Sequence, residues 1–225
     1  MPLEGALESL RRGEFVLLHD SEGREDEVDM IAYAGTVSPE HVARMRRRAG
    51  GLLCVAISYE FAASINLRYM HDILAASDAI RDKSIIMGAA PYGDRSAFSI
   101  SVNSRRAYTG ITDRDRSATI SEIAAIYDEG DRAGAFARSF LAPGHVPLLI
   151  ASRNLLEERQ GHTEMSICLA RAAGLKPVMA VCEMMDAETY AALTVEKAAK
   201  FAAQHGIPLV DGRELAEEYA RVHQN

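Results

Sequence analysis

Phe15-Val-Leu-Leu-His-Asp20-Ser-Glu-Gly-Arg24-Glu25-Asp-Glu-Val-Asp29-Met-Ile-Ala-Tyr33 holds two apolar runs, Phe15–Leu18 and Met30–Tyr33, separated by an acidic stretch. The apolar runs read as neighbouring strands and the acidic stretch as the loop between them. Six carboxylates crowd into this loop, Asp20, Glu22, Glu25, Asp26, Glu27 and Asp29, around a single arginine, Arg24. Such groups raise one another's pKa unless a cation or a hydrogen-bond donor balances them. A divalent metal would supply that balance, and Arg24 could hold an anionic ligand. Composition alone favours a solvated acidic hairpin loop, with Asp20, Glu22 and Asp26 as solvated neighbours.

Outward from this pair, the pattern alternates between helix and strand. Residues 3–12 read as a helix with Leu3, Leu7 and Leu10 on one face, ended by Gly13. Ser38 caps a second helix that runs to Ala49, with Pro39 at its first position and Gly50-Gly51 as the stop. Strands are expected at Leu52–Ser58, Ala97–Asn103, Pro177–Met184 and Ile207–Val210, and a turn leading into a strand over Leu141–Ile150. Helices are expected at Thr119–Glu129, Thr163–Ala173 with Thr163 as cap, Thr194–His205 and Gly212–Val222. Residues 66–96 carry little pattern beyond a helix-like start at Ile65–Leu74 and a turn at Pro91-Tyr-Gly-Asp94. The alternation is too irregular for a doubly wound sheet. The expected fold is α+β, a mixed sheet packed with helices, in one domain over residues 1–225.

The net charge of −7 argues against general nucleic-acid affinity. The basic run Arg44–Arg48 lies on an expected helix and reads as a solvated face. Cys54, Cys168 and Cys182 are odd in number and far apart, with no CxxC pair, which fits reduced thiols in a cytoplasmic protein. No stretch reaches the ~18 uninterrupted apolar residues of a membrane span, and Met-Pro-Leu-Glu-Gly lacks the basic start of a signal peptide. A soluble cytoplasmic protein is expected.

Several segments carry residue types suited to catalysis. In an extended loop Glu25, Glu27 and Asp29 point the same way, so they could share a hard cation and leave one carboxylate as a base. Thr109-Gly-Ile-Thr-Asp-Arg-Asp115-Arg offers hydroxyls, charges and a glycine for close approach, or simply the cap of the next helix. His145 follows Pro143-Gly144 at a turn, placed either structurally or to relay a proton near pH 7. Arg159-Gln160-Gly161-His162-Thr163-Glu164 enters a helix, where backbone N–H groups, Thr163 and Arg159 suit a phosphate. His162 plus one acidic-loop carboxylate, with water and ligand oxygens, suits octahedral magnesium or manganese better than zinc. Glu183 ends the apolar strand 178–183, either as an acid or base of raised pKa or as the point where the strand meets solvent.

Taken together, these segments resemble the 3,4-dihydroxy-2-butanone 4-phosphate synthase family. The motifs stand in order over nearly the whole chain: Asp-x-x-x-Arg-Glu-x-Glu-x-Asp-Met at 20–30, Thr-Gly-Ile-Thr-x-x-Asp-Arg at 109–116, Pro-Gly-His-Val at 143–146, Gly-His-Thr-Glu at 161–164, then Gly-Leu-Lys-Pro and Val-Cys-Glu within 174–183. The resemblance implies an α+β homodimer with active sites near the interface. It implies conversion of D-ribulose 5-phosphate to L-3,4-dihydroxy-2-butanone 4-phosphate plus formate, in riboflavin biosynthesis, with magnesium or manganese. By position, Glu25 and His162 match metal ligands. Arg24, Glu25 and Asp29 match substrate contacts, as do Arg159, Gln160, Gly161, His162 and Thr163. His145 and Glu183 match residues essential to catalysis, Thr109 and Asp115 match further active-site positions, and Cys54 falls where the family often has a cysteine. Glu27 or Asp29 is the expected first base.

Val28, Asp26 and Gln160 depart from the common pattern of glycine, asparagine and glycine, without loss of a functional group. Residues 66–96 align poorly and receive no role. The second, cyclohydrolase-like domain of many relatives is not expected in 225 residues. The competing readings are another metal-dependent sugar-phosphate enzyme, such as an isomerase or aldolase, and a nucleotide- or RNA-binding module.

Overall fold

The computed structural model describes residues 2–223. Met1, at the head of the Met-Pro-Leu-Glu-Gly start, lies outside the described residues. The two apolar runs around the acidic loop form β1 (Val16–His19) and β2 (Val28–Tyr33), paired antiparallel with Leu18 opposite Asp29. Leu17, Leu18, Met30 and Ile31 are all buried, each contributing about 1.5–3 kcal/mol. That burial pins both ends of the acidic loop.

The remaining strands are β3 (Cys54–Ile57), β4 (Phe98–Ser104), β5 (Phe140–Ile150), β6 (Val178–Glu183) and β7 (Leu209–Asp211). They form one seven-stranded sheet in the order β4-β5-β3-β6-β2-β1-β7. The sheet is mixed: β3–β5 and β1–β7 are parallel, the other pairs antiparallel. The helices are α1 (Pro2–Arg11), α2 (Pro39–Arg48), α3 (Tyr59–Ser64), α4 (Met70–Ala76), α5 (Asp113–Ala125), α6 (Arg132–Ser139), α7 (His162–Ala172), α8 (Val195–His205) and α9 (Gly212–His223).

Helices cover both faces of the sheet. On one face Leu17, Met30, Val55 and Ala180 pack with residues of α2, α3, α5 and α8, such as Met45, Phe61, Ile120 and Ala198. On the other Leu18, Ile31, Ala56 and Val181 pack with α1, α7 and α9, through Leu10, Ile167 and Leu215. A sheet buried on both faces explains why its central strands read as unbroken apolar runs. Asp29 and Glu183 are paired across β2 and β6. By alternation they fall on the same face as Ile31 and Val181, the α7 face.

Some expectations change. Thr163 does not cap α7; the helix begins at His162 with Gly161 at the N-cap and no side-chain cap. α5 starts well before Thr119, because Thr112 caps it by accepting the Asp115 N–H at 3.0 Å. α6, capped by Asp131, interrupts a stretch that carries no long period. The turn expected around Pro143 is a bulge within β5: pairing jumps from Val102–Val146 to Asn103–Leu141, so residues 142–145 loop out. In the little-patterned segment, α4 overlaps the helix-like start at Met70–Leu74 but begins five residues later and runs on to Ala76. Pro91–Asp94 is a turn, closed by Ala90 N–H donating to Asp94 O at 2.7 Å. No helix among the described residues is long and apolar enough to cross a membrane. Cys54, Cys168 and Cys182 are buried and free.

Candidate active site

Asp20 is no solvated neighbour. Its side chain is fully buried. Its Oδ2 accepts the Glu25 N–H at 3.1 Å and Arg24 Nη1 at 2.9 Å, and its Oδ1 accepts the Glu27 N–H at 3.1 Å. One carboxylate thus folds the acidic loop around itself. Asp26 is half-exposed, 2.9 Å from His19 Nε2, and Glu22 is exposed, as expected. Asp20→Ala would leave two N–H groups and the Arg24 guanidinium short of a partner. The expected cost is about 3–5 kcal/mol, read as a lower denaturant midpoint at unchanged slope.

The loop carries Arg24 and Glu25 to the N-terminus of α7. Glu25 Oε2 lies 3.2 Å from His162 Nδ1 and 2.9 Å from Arg24 Nη1, and Oε1 accepts the Tyr92 hydroxyl at 2.7 Å. His162 Nε2 faces Glu27 O at 3.1 Å and Asp29 Oδ1 at 3.8 Å. Arg24 also donates through Nε to Asp94 at 2.8 Å and stacks over Tyr92, 5.0 Å from the ring centre. Arg159 donates through Nη1 to Glu164 at 2.7 Å. Gly161 makes this convergence possible. A Cβ there would lie 2.7 Å from Arg24 Nη2 and 3.0 Å from Arg159 Cζ.

Charge and burial set the protonation states. Burial alone would raise Glu25, but its bond to His162, the charge of Arg24 and the Tyr92 hydroxyl hold it at about 2. Burial pulls His162 down, yet Asp29, Glu25 and Asp20 outweigh it and lift the ring to about 9. Burial pushes Asp29 up to about 7; His162 opposes the shift, while Glu183, Glu25 and Glu27 add to it. Burial also raises Glu27, helped by Glu25 and Glu183. Glu183, half-buried at the end of β6, accepts the Leu52 N–H at 2.7 Å. A Cβ on Gly51 would strike Glu183 at 2.5 Å, so only glycine leaves that carboxylate its place.

Glu25, Asp29, Tyr92, Arg159, His162, Thr163 and Glu183 line a cleft of about 200 Å³, while Arg24 and Glu27 stand behind that lining, against Glu25 and His162. A larger cavity of about 530 Å³ lies between α1 and α9, lined by leucines and surface charges. It holds no such convergence of an acid, a base and an anion site. Three buried polar atoms of the first cluster make no hydrogen bond: Arg24 Nη2, Asp29 Oδ1 and Arg159 Nε. Buried groups of that kind can take a ligand, an ion or a water.

One ligand atom each of Asp20, Glu25 and His162 lies within 4.8 Å of the others. Asp20 is committed to the loop, which leaves Glu25 and His162 for an ion. Two ligands about 2.1 Å from an octahedral ion and at right angles stand about 3 Å apart. The 3.2 Å between Glu25 Oε2 and His162 Nδ1 fits that edge. Oxygen donors with one imidazole suit magnesium or manganese.

His145, Thr109 and Asp115 do not line this cleft. Asn103 and Gly110 link them instead. His145 N–H donates to Asn103 Oδ1 at 2.8 Å, Gly110 packs on the Asn103 side chain, and Asp115 accepts the N–H groups of Gly110 and Thr109 at 3.0 and 3.3 Å. Capping and closing of the 109–116 loop is therefore real. Asn103 is five residues along β4 from the cleft residue Phe98, about 16 Å at strand rise. Gln160 also stays out of the cleft lining; its amide is 3.5 Å from Leu156 O. Tyr92, Asp94, Asp20, Glu164 and Gly51 belong to the cluster without having been expected there.

The sequence model of the 3,4-dihydroxy-2-butanone 4-phosphate synthase family matches residues 4–218. The chain belongs to that family. A synthase of this name from Methanothermobacter thermautotrophicus is 44% identical over 222 residues, covering 96% of this chain and 95% of the relative. One from Archaeoglobus fulgidus is also 44% identical, over 100% of this chain and 96% of the relative. A solved synthase in complex with two magnesium ions is 25% identical, with a TM-score of 0.79 over 98% of this chain and 97% of that one. The α+β fold implied by the synthase motifs is the fold found. What separates the synthase motifs in space is that 20–30, 161–164 and Glu183 share one cleft, whereas 109–116 and 143–146 form a second cluster.

Proposed function

We propose that the chain converts D-ribulose 5-phosphate to L-3,4-dihydroxy-2-butanone 4-phosphate and formate, as one synthase domain supplying riboflavin biosynthesis. The convergence of Glu25, Asp29, Arg159, His162, Thr163 and Glu183 in one cleft, with Arg24 paired to Glu25 at its edge, carries this reading. Glu25 and His162 would hold magnesium or manganese. When bound, the ion supplies Lewis-acid stabilisation of negative charge developing on substrate oxygens. Arg159, Arg24 and Thr163 at the α7 N-terminus bind the phosphate. A base must then take the proton beside the ketone. Asp29 fits this step best: its Oδ1 makes no hydrogen bond and burial raises its pKa to about 7. Glu27 is the alternative. Glu183 and His145 then move protons as water leaves, the carbon skeleton shifts and formate departs.

His145 can serve the cleft only if something brings it there. A homodimer does so, with the 103–115 and 143–146 segments of one copy facing the cleft of the other. The His145 cluster is ringed by exposed apolar side chains, Tyr108 at 98%, Ile111 at 53% and Leu141 at 49% exposure, which a second copy would cover. Three buried free thiols support a reducing, cytoplasmic setting.

Formate measured from ribulose 5-phosphate tests the reaction. Release in magnesium, loss in EDTA and recovery on adding magnesium or manganese are expected. Consumption of substrate without formate would indicate an isomerase or aldolase instead. A pH effect accompanies metal binding. With His162 at about 9, the ring carries a proton at pH 7.5 that a metal must displace. Magnesium affinity is therefore expected to rise up to about tenfold per pH unit between 7.5 and 8.5 and to level off above 9. Calorimetry in buffers of different ionisation enthalpy should record about one proton released.

A further inference from the structure

We infer that Glu164 is the positioning residue for Arg159, fixing its guanidinium at the angle a phosphate needs; this rests on the reading of Arg159 as the anion-binding residue of the proposed synthase. Glu164 is fully buried and lies in the first turn of α7. Its Oε1 accepts the Ser152 N–H at 2.8 Å and its Oε2 accepts Arg159 Nη1 at 2.7 Å. Ser152 follows Ala151, whose N–H donates to Ile57 O on β3 at 2.9 Å. The carboxylate is thus anchored to the sheet on one side and holds the arginine on the other.

Arg159 has little else to hold it. Its Nε is buried and makes no hydrogen bond, and its other nearby anion, Asp94, stands 3.6 Å away. The bare Cα of Gly161 lets the guanidinium lie against the α7 N-terminus, with Cζ 3.0 Å from where a Cβ would be. One prong of the fork is bound to Glu164, and the remaining N–H groups are left for an oxyanion. A buried ion pair gives no general advantage in stability over an apolar pair, so geometry is the better account of this one.

Coulomb's law and positioning make opposite forecasts. Glu164 is an anion beside an anion site, so removing its charge should tighten phosphate if charge alone mattered. If it positions Arg159, removing it should weaken phosphate. The test uses Glu164→Gln, Glu164→Asp, Arg159→Met and the Glu164→Gln/Arg159→Met double variant. Inorganic phosphate binding to each full chain in magnesium is measured by calorimetry, and KM and kcat are measured for formate release.

Glu164→Gln should weaken phosphate and raise KM by about tenfold, with kcat changed far less. Glu164→Asp keeps the charge but loses reach, and should weaken phosphate as well. In the double variant, Glu164→Gln should add nothing to the effect of Arg159→Met. Unchanged or tighter phosphate in Glu164→Gln, additive effects in the double variant, or no phosphate binding to the unsubstituted chain would each overturn the inference. The calorimetric arm needs no turnover, so it judges the clamp separately from the lyase assignment.

Discussion

Glu25→Gln is expected to lower formate release by about three orders of magnitude, roughly 4 kcal/mol of transition-state stabilisation. Glu25 stands where three functions meet: one oxygen faces His162 and Arg24, the other Tyr92. Glutamine keeps the shape but offers an ion one neutral oxygen in place of a carboxylate. The metal-free fold should weaken too, by about 1–3 kcal/mol at neutral pH. The sign follows from the pKa. Glu25 is held at about 2, below its unfolded value, so its contribution is present above about pH 4.5 and is lost as pH falls toward 2. The difference in stability between wild type and Glu25→Gln should therefore shrink on acidification. A rate within tenfold of wild type would remove Glu25 from the metal site.

His145→Ala and Glu183→Gln are expected to lower kcat by about 10²–10⁴-fold with KM nearly unchanged. Both are assigned proton transfers rather than substrate grip. Glu183 stands beside the proposed base, opposite Asp29 across β2 and β6, and its place is guarded by Leu52 N–H and Gly51. His145 contacts nothing in the cleft of its own chain. If it were merely a strut of the bulge, its replacement should shift the unfolding midpoint and leave kcat alone. Loss of kcat with a wild-type midpoint is the expected result. Raised KM with normal kcat would reassign either residue to binding.

The strands around the acidic loop were legible because burial on both sheet faces leaves local apolar runs. The same holds for β3 and β6. The site motifs are legible as chemistry: Glu25 and Asp29 are far in sequence from His162 and Glu183, yet all four share one cleft. Asp20 is not legible because six carboxylates within ten residues look alike, and only the folded loop shows which one turns inward. Tyr92 and Asp94 lie in a segment without periodicity, so nothing local distinguishes them. Thr163 does not cap α7 because the helix already begins at His162, with Gly161 at the N-cap. The separation of His145, Thr109 and Asp115 from the cleft is a matter of sheet topology, which motif order along a chain does not encode.

That separation calls for a site built from two copies, and subunit complementation decides whether it is. Glu25→Gln and His145→Ala chains, each inactive alone, would be unfolded together, refolded and assayed for formate release. If one copy supplies the cleft and the other His145, each mixed dimer contains one intact site. Random pairing then restores about a quarter of wild-type activity. If both residues act within one chain, no mixed dimer holds an intact site, and the mixture stays as inactive as its parts.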